Sequence, residues 1–363
     1  MNFSLAHLQL AYGMQQIVIC TSFQYKYFNF RNVNSFRSTN TFCFGNHIVS
    51  TEKCSFVGYL ERAFCFLDSN IIKTMSTEAI FRNTVFESKT TSGDGGAILV
   101  SSSVSVFECS QCEFFACSAY NGGAVCSYST NSSMLRVCFH SCRGTYMGQA
   151  YNIESNYFYS ELVTTILCSG RSSPGEYSSL RIINSRVECK NLNMSNNYVG
   201  KHVPGIFCSS NKDQEYLYVS FDSLDSTETA TIDFQQDAKK CNLKYGNIIN
   251  CPVRAKYSLI FTNSIYSLSF YSFVCYNNTG GSYFFGNYGG PPTFNDSFFD
   301  VSGAVLANCV MNNCLFGEKR DPISIDPLNT GRCYFQTKAK PTSQKSTISV
   351  RNTGFILLFI MHY

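Results

Sequence analysis

The stretch GDGGAIL at 93–99 returns as NGGAVCS at 121–127, and this recurrence limits the fold more than any other feature of the chain. Glycines that precede an alternating run stand at Gly96, Gly123, Gly148, Gly175 and Gly200, with spacings of 27, 25, 27 and 25 residues. A second column of small residues, Cys117, Cys142, Cys168 and Ser195, leads the last four by five to seven positions and keeps spacings of 25, 26 and 27. Two columns with one period describe a repeating unit. The pattern blurs afterwards and returns at Gly246, Gly280 and Gly303.

A helical repeat would place apolar residues at i, i+3, i+4 and i+7. Here ILVSSSVSVFEC alternates, and Gly, Asn and Ser recur every five to nine residues, which leaves no room for helices. Three short strands and three turns, at about 3.3 Å per strand residue, close one solenoid coil in about 25 residues. The expectation is an all-β parallel β-helix with about 25–27 residues per coil. The glycine pair then forms a corner, with one glycine at φ > 0 and Ala97 and Ala124 inside it. Cys117, Cys142 and Cys168 form a buried core ladder, since cysteine packs as a small, soft hydrophobe. Residues 81–317 carry the solenoid. Residues 1–80 are N-terminal coils or a cap without clear register, and 318–363 form a basic and then apolar tail.

Composition agrees. Tyr, Phe, Thr and Val favour pleated surfaces, and aromatic residues reach 15% without any Trp. The net charge of +4 is too small and too evenly spread to indicate a nucleic-acid partner. Nineteen cysteines suit either a disulfide framework, with one thiol left over, or stacked thiols in the core.

The GDGGAIL and NGGAVCS segments, with FESKTTSGDGGAI and FFACSAYNGGAV around them, resemble the Gly-Gly-Ala-Ile repeats of chlamydial polymorphic membrane proteins. They are closer still to the right-handed β-helix surface proteins of trichomonad type, which are rich in Cys, Asn and Tyr. The resemblance covers about 80–317 and implies a right-handed, pectin-lyase-like solenoid. It also implies a surface or adhesin-like role and a membrane anchor near the C-terminus.

Many β-helices cleave polysaccharides, which requires two or three carboxylates on one sheet face. The densest acidic stretch, SFDSLDSTETATIDF, holds Asp222, Asp225, Glu228 and Asp233 and reads as a solvated loop. Asp94 reads as a turn residue. Within 93–200 only Glu161 and Glu188, 27 residues apart, stand as candidate neighbours. The CSQC segment at 109–112, with Cys138 and His140, lacks the second close pair that structural zinc needs. On an alternating strand Cys109 and Cys112 would face opposite ways. The sequence therefore names no catalytic, metal or cofactor residue and no cofactor.

Sequons occur at Asn2, Asn131, Asn193, Asn277 and Asn295, and Asn131 lies in the most loop-like setting. The N-terminus lacks a basic region before its apolar residues, so it makes a weak signal peptide. Residues 355–361 are apolar but too few for a span of about 20 residues; they suit the start of an anchor or a short tail. The function expected is a non-enzymatic cell-surface or secreted solenoid that binds an unknown protein or carbohydrate. The alternative is a polysaccharide lyase or glycoside hydrolase on the same scaffold.

Overall fold

The structure is a computed structural model. It describes residues 77–102, 104–168, 178–226, 231–235, 240–252, 259–263, 268–278, 285–287, 290–300, 309–317 and 321–323, and the backbone of eight short strands before residue 67.

Alternating segments pair in parallel with the equivalent segment one repeat later, and the chain winds into a right-handed parallel β-helix. Ile98, Val125, Tyr151, Leu180, Ile206, Ile232 and Ile260 are successive partners, each one coil further along the chain. The coils are unequal, and the longest of these steps runs from Tyr151 to Leu180. These strands belong to a ten-stranded sheet; a second sheet has twenty strands, and two short parallel pairs, Ser118–Asn121 with Arg143–Met147 and Tyr198–Val199 with Asp225–Ser226, stand apart from both. Strands before residue 67 already belong to both sheets. Ile48–Glu52 pairs with Thr77–Arg82, and Phe64–Phe66 pairs with Ile98–Val100, so the sheets run unbroken across the expected 80/81 boundary.

Each coil of the long sheet contains two strand segments joined by a single left-handed residue. One such column runs through Asn83, Gln111, Arg136, Leu162, Asn191, Tyr218, Tyr245, Ser272, Asp296 and Asn313. A second runs through Ser88, Ala116, Ser141, Leu167, Asn196, Ser223, Asn250 and Asn277, always five residues after its companion. All lie at φ between 48° and 58°. Non-glycine residues occupy this region at a cost of roughly 1 kcal/mol or more. The bend nevertheless keeps the ladder intact: Gln111 N–H donates to Leu135 O at 2.8 Å, and Ala116 N–H donates to His140 O at 2.9 Å.

The bend also inverts the strand alternation. Cys109 and Cys112 flank Gln111, and both point into the core, fully buried. The expectation that they face opposite ways is corrected by this left-handed residue. Inward positions stack on their equivalents. The rings of Phe86, Phe114 and Phe139 lie 4.9 Å apart at each step and are nearly parallel. Gly246 is one of these inward strand positions rather than a corner, and a Cβ there would stand 2.4 Å from the Phe273 ring.

The glycine corner forms as expected, with a shift of register. Gly95, Gly122 and Gly148 share the positive-φ position, at 65°, 58° and 64°. Gly96 and Gly123 occupy the next position, where Gln149 follows them. An added Cβ at Gly96 would meet Gly123 O at 2.0 Å, so the second glycine is required by the approach of the neighbouring coil. Gly148 therefore aligns with Gly95 and Gly122, one residue from the Gly96 and Gly123 column expected for it. Ala97, Ala124 and Ala150 line the inside of the corner, fully buried. Gly200 is not a corner: it follows the strand Tyr198–Val199, and Gly205 takes the place that Ala150 holds two coils earlier. Gly175, Gly280 and Gly303 lie outside the described residues.

Cys117, Cys142 and Cys168 stack in register, fully buried, just past the second left-handed column. Their thiols donate to Phe86 O, Phe114 O and Phe139 O one coil back, at 3.6, 3.5 and 3.6 Å. Among the described residues the column includes Lys89 one coil earlier and continues through Asn197, Leu224, Cys251 and Asn278. Ser195, taken as the fourth member from sequence, instead lies two residues before Asn197.

Candidate binding surface

The outer face of the long sheet gathers the exposed aromatic and charged side chains. Alternation in Tyr157–Ile166 buries Phe158 and Ser160 and turns Tyr157, Tyr159 and Glu161 outward. Register then sets their neighbours. Tyr159 stands level with Glu188, and Glu161 with Lys190. One coil further, Glu188 is level with Glu215, and Lys190 with Leu217; Lys244 and Tyr271 follow in the Leu217 column.

Glu161 and Glu188, the only expected carboxylate neighbours, are thus diagonal rather than paired, and each faces a donor. Tyr159 Oη donates to Glu161. Arg186 Nη2 lies 3.1 Å from Glu188. Lys190 Nζ sits 5.7 Å above the Tyr159 ring. Lys244 reaches Glu215 at 2.9 Å, and this hydrogen bond pushes the ammonium pKa up. The hydrogen bond to Glu161, with some burial, pushes the Tyr159 phenol up to about 12, so it remains a donor at neutral pH.

The left-handed column lifts Tyr218 and Tyr245 out of the same face. Their rings stack at 5.2 Å, 19° apart in plane, and both remain more than 40% exposed. Tyr271 flanks them, also exposed. A similar stack, Tyr120 on Tyr146 at 5.3 Å, stands near the glycine corner. The sequence reading missed both stacks, although the two tyrosines of each pair are separated by one repeat.

The ten-stranded sheet carries a polar ladder on its own outer face. Asp94 accepts from Asn121 Nδ2 at 2.9 Å and from Tyr128 Oη at 3.2 Å, which fastens the corner it was expected to turn. Asn152 donates to Cys126 and accepts from Arg181 at 2.9 Å. Burial pushes the Cys126 thiol up to about 12, far from a nucleophile's range.

The acidic stretch is dispersed. Asp222 accepts from Ser223 and Asn250 on the long sheet. Asp225 is buried level with Tyr198, while Asp233 lies in the other sheet between Phe207 and Phe261. Burial raises the Asp233 carboxyl to about 7. Glu228 lies outside the described residues. Among the described residues, no three His, Cys, Asp or Glu side chains converge as a metal site would require.

The sequons differ in access. Asn131 is exposed at the start of its strand. Asn277 is exposed and donates to Asn250 Oδ1, while Asn295 is half-buried and donates to Phe270 O. Asn193 is buried at 8% exposure, so the folded wall leaves no room for a glycan there. Among the described residues no helix is long and apolar enough to cross a membrane; residues 355–361 lie outside them.

Comparison with family models, curated proteins and solved structures found no match.

Proposed function

We propose that this chain is a non-enzymatic, cell-surface or secreted β-helix protein that binds a protein or carbohydrate through the outer face of its long sheet. The observation that carries this reading is the exposed Tyr218–Tyr245 stack beside Tyr271. A tyrosine ring offers a large contact area for little lost conformational entropy. It is enriched where binding energy concentrates. Here the rings stand on backbone fixed by ladder hydrogen bonds, so little is lost on ordering them. Charges of both signs flank the stack and suit a polar rim. The resemblance to anchored surface solenoids points the same way, and so does the exposed sequon at Asn131.

Binding of the wild-type protein and of a Tyr218→Ala/Tyr245→Ala variant to immobilised cell-surface glycans and matrix proteins tests the reading. The expected result is a specific wild-type signal that falls at least about tenfold in the variant, as for a hot-spot aromatic. Equal binding by the two proteins overturns it.

A second reading, polysaccharide cleavage on the same scaffold, draws on Asp233, whose raised pKa near 7 suits a general acid. Release of reducing or unsaturated sugars from pectin, alginate or glycosaminoglycan, abolished by Asp233→Asn, would favour it.

A further inference from the structure

The tyrosine stack on the long sheet ends abruptly. The left-handed column that carries it runs through Asn191, Tyr218, Tyr245, Ser272, Asp296 and Asn313 on successive rungs. The Tyr218 and Tyr245 rings lie 5.2 Å apart and 19° from parallel. Rungs are about 4.8 Å apart, so the two rings face each other along the solenoid axis. The far face of Tyr245 therefore looks onto the next rung. That rung holds Ser272, which is too short to cover a ring. Among the described residues, Tyr245 has no second ring contact and the Ser272 hydroxyl has no hydrogen bond.

The result is a slot one rung deep. Its roof is the Tyr245 ring. Its far side is Asp296, one rung beyond Ser272 and two rungs, about 10 Å, from Tyr245. Asp296 is exposed. Asn313 Nδ2 donates to its Oδ1 at 2.6 Å, while Oδ2 accepts from no described residue. Tyr271, next to Ser272 in the chain, is exposed beside the slot. Lys244 stands next to Tyr245, with its ammonium held by Glu215 at 2.9 Å.

We propose that this slot takes one neutral hexopyranose ring, so that the partner of the face is a glycan; the proposal rests on the reading of this face as a binding surface. The C–H face of a pyranose carries slight positive charge and packs on the negative face of an aromatic ring. At a contact distance of about 3.5–4 Å from Tyr245, the sugar leaves about 6 Å to the Asp296 rung, which a hydroxyl and a hydrogen bond of about 2.7 Å close. Two adjacent hydroxyls can donate to one carboxylate, and hydrogen bonds to an ionised acceptor are the stronger kind. An aromatic side chain of a partner protein would stack on Tyr245 as well. It would leave Asp296 and Ser272 against an apolar edge with no donor, at a desolvation cost. The Lys244 ammonium beside the roof disfavours a cationic ligand, and Asp296 disfavours an anionic one.

Saturation-transfer NMR of the full chain, produced without glycosylation so that no glycan at Asn295 stands beside the slot, tests this. The probes are methyl glucoside, galactoside and mannoside, with N-acetylphenylalaninamide as the aromatic control. The expected result is transfer to the ring C–H protons of at least one pyranoside. Tyr245→Ala and Ser272→Tyr each abolish it. Ser272→Tyr fills the slot with a third ring in a column where Tyr218 and Tyr245 already sit at φ 55° and 58°, so the fold and its urea midpoint are kept. Asp296→Asn, which keeps a residue suited to the left-handed position, lowers the affinity at least about tenfold, as for a lost bond to a charged group. Transfer to no pyranoside, transfer to the aromatic control alone, or unchanged transfer in Ser272→Tyr overturns the assignment. The wider reading of the face fails separately: it stands if binding to matrix proteins survives in Ser272→Tyr and falls in Tyr218→Ala/Tyr245→Ala.

Discussion

Asn277 and Asn250 occupy the same left-handed corner one coil apart, and Asn277 Nδ2 donates to Asn250 Oδ1 at 2.7 Å. Asn250 in turn donates to Asp222 at 3.0 Å. The corner is thus held by a line of amides as well as by the backbone ladder. Asparagine tolerates the left-handed region better than residues with longer side chains. Leu167 holds the same corner at φ 53° with its side chain about half exposed. Leu167→Asn is therefore expected to stabilise the fold by about 0.5–1 kcal/mol, measured as an upward shift of the urea midpoint with unchanged m-value. A lower midpoint would show that Leu167 contributes packing that outweighs its backbone strain.

The glycine corner gives the opposite sign. In Gly123→Ala the new methyl would stand 2.1 Å from Gln149 O and 2.4 Å from Arg143 C, both of them backbone atoms. No side chain can move aside, so the coil must shift. The expected loss is about 3–5 kcal/mol, at the severe end for a point change, read from chemical denaturation. A loss below about 1 kcal/mol would mean that the wall yields far more easily than its packing suggests.

Asp233 supplies a pH dependence. Burial raises its carboxyl from 3.8 to about 7 in the fold. The protonated form is favoured in the folded state, so this stabilisation is complete below pH about 4 and disappears as pH rises through about 7. Asp233→Asn keeps an acceptor for Gln235 Nε2, which donates to the carboxylate at 2.9 Å. It should leave stability at pH 3.5 nearly unchanged and raise it by about 2–4 kcal/mol at pH 8, since each pKa unit corresponds to about 1.4 kcal/mol. Equal effects at both pH values would count against a titrating Asp233.

Thiol access should follow depth. Cys309 and Cys314 are half-buried, whereas Cys117, Cys142 and Cys168 are fully enclosed. Burial also raises the Cys142 pKa well above 9.0 and so suppresses its reactive thiolate. Short maleimide exposure of the native protein at pH 7.5 is expected to mark Cys314 first, ahead of the more deeply set Cys309, whose thiol burial also pushes up, and to spare the three ladder cysteines until guanidinium is added. Early labelling of Cys142 would place the ladder outside the core.

The repeat was legible because two physical demands leave a mark on residue type. The corner that Gly96 and Gly123 occupy excludes a Cβ, and the wall between corners needs alternating apolar residues, as in Val137 and Phe139. The register of Gly148 was not legible, since a single glycine serves either of two adjacent positions and only pairing decides between them. The two left-handed columns were invisible for a different reason. Ser, Ala, Leu, Asn, Tyr, Arg and Gln all occupy them, because the ladder on either side fixes the backbone whatever the side chain. The inward turn of Cys112 followed from that hidden bend. Glu161 and Glu188 illustrate the limit for surface chemistry: their separation in sequence placed them on neighbouring coils, but coils of unequal length set which rung faces which.

The constant five-residue interval between the two left-handed columns has a consequence for how such a chain can vary. Coil length changes from one pair of partners to the next, yet this interval holds in all eight coils that show both bends. It works as a phase marker. Residues added elsewhere on the circumference bulge outward, and the next copy of the marker restores alignment before any error accumulates. Insertions and tandem copies of a whole coil can thus lengthen the molecule or vary its rim, while the interior columns continue without a break.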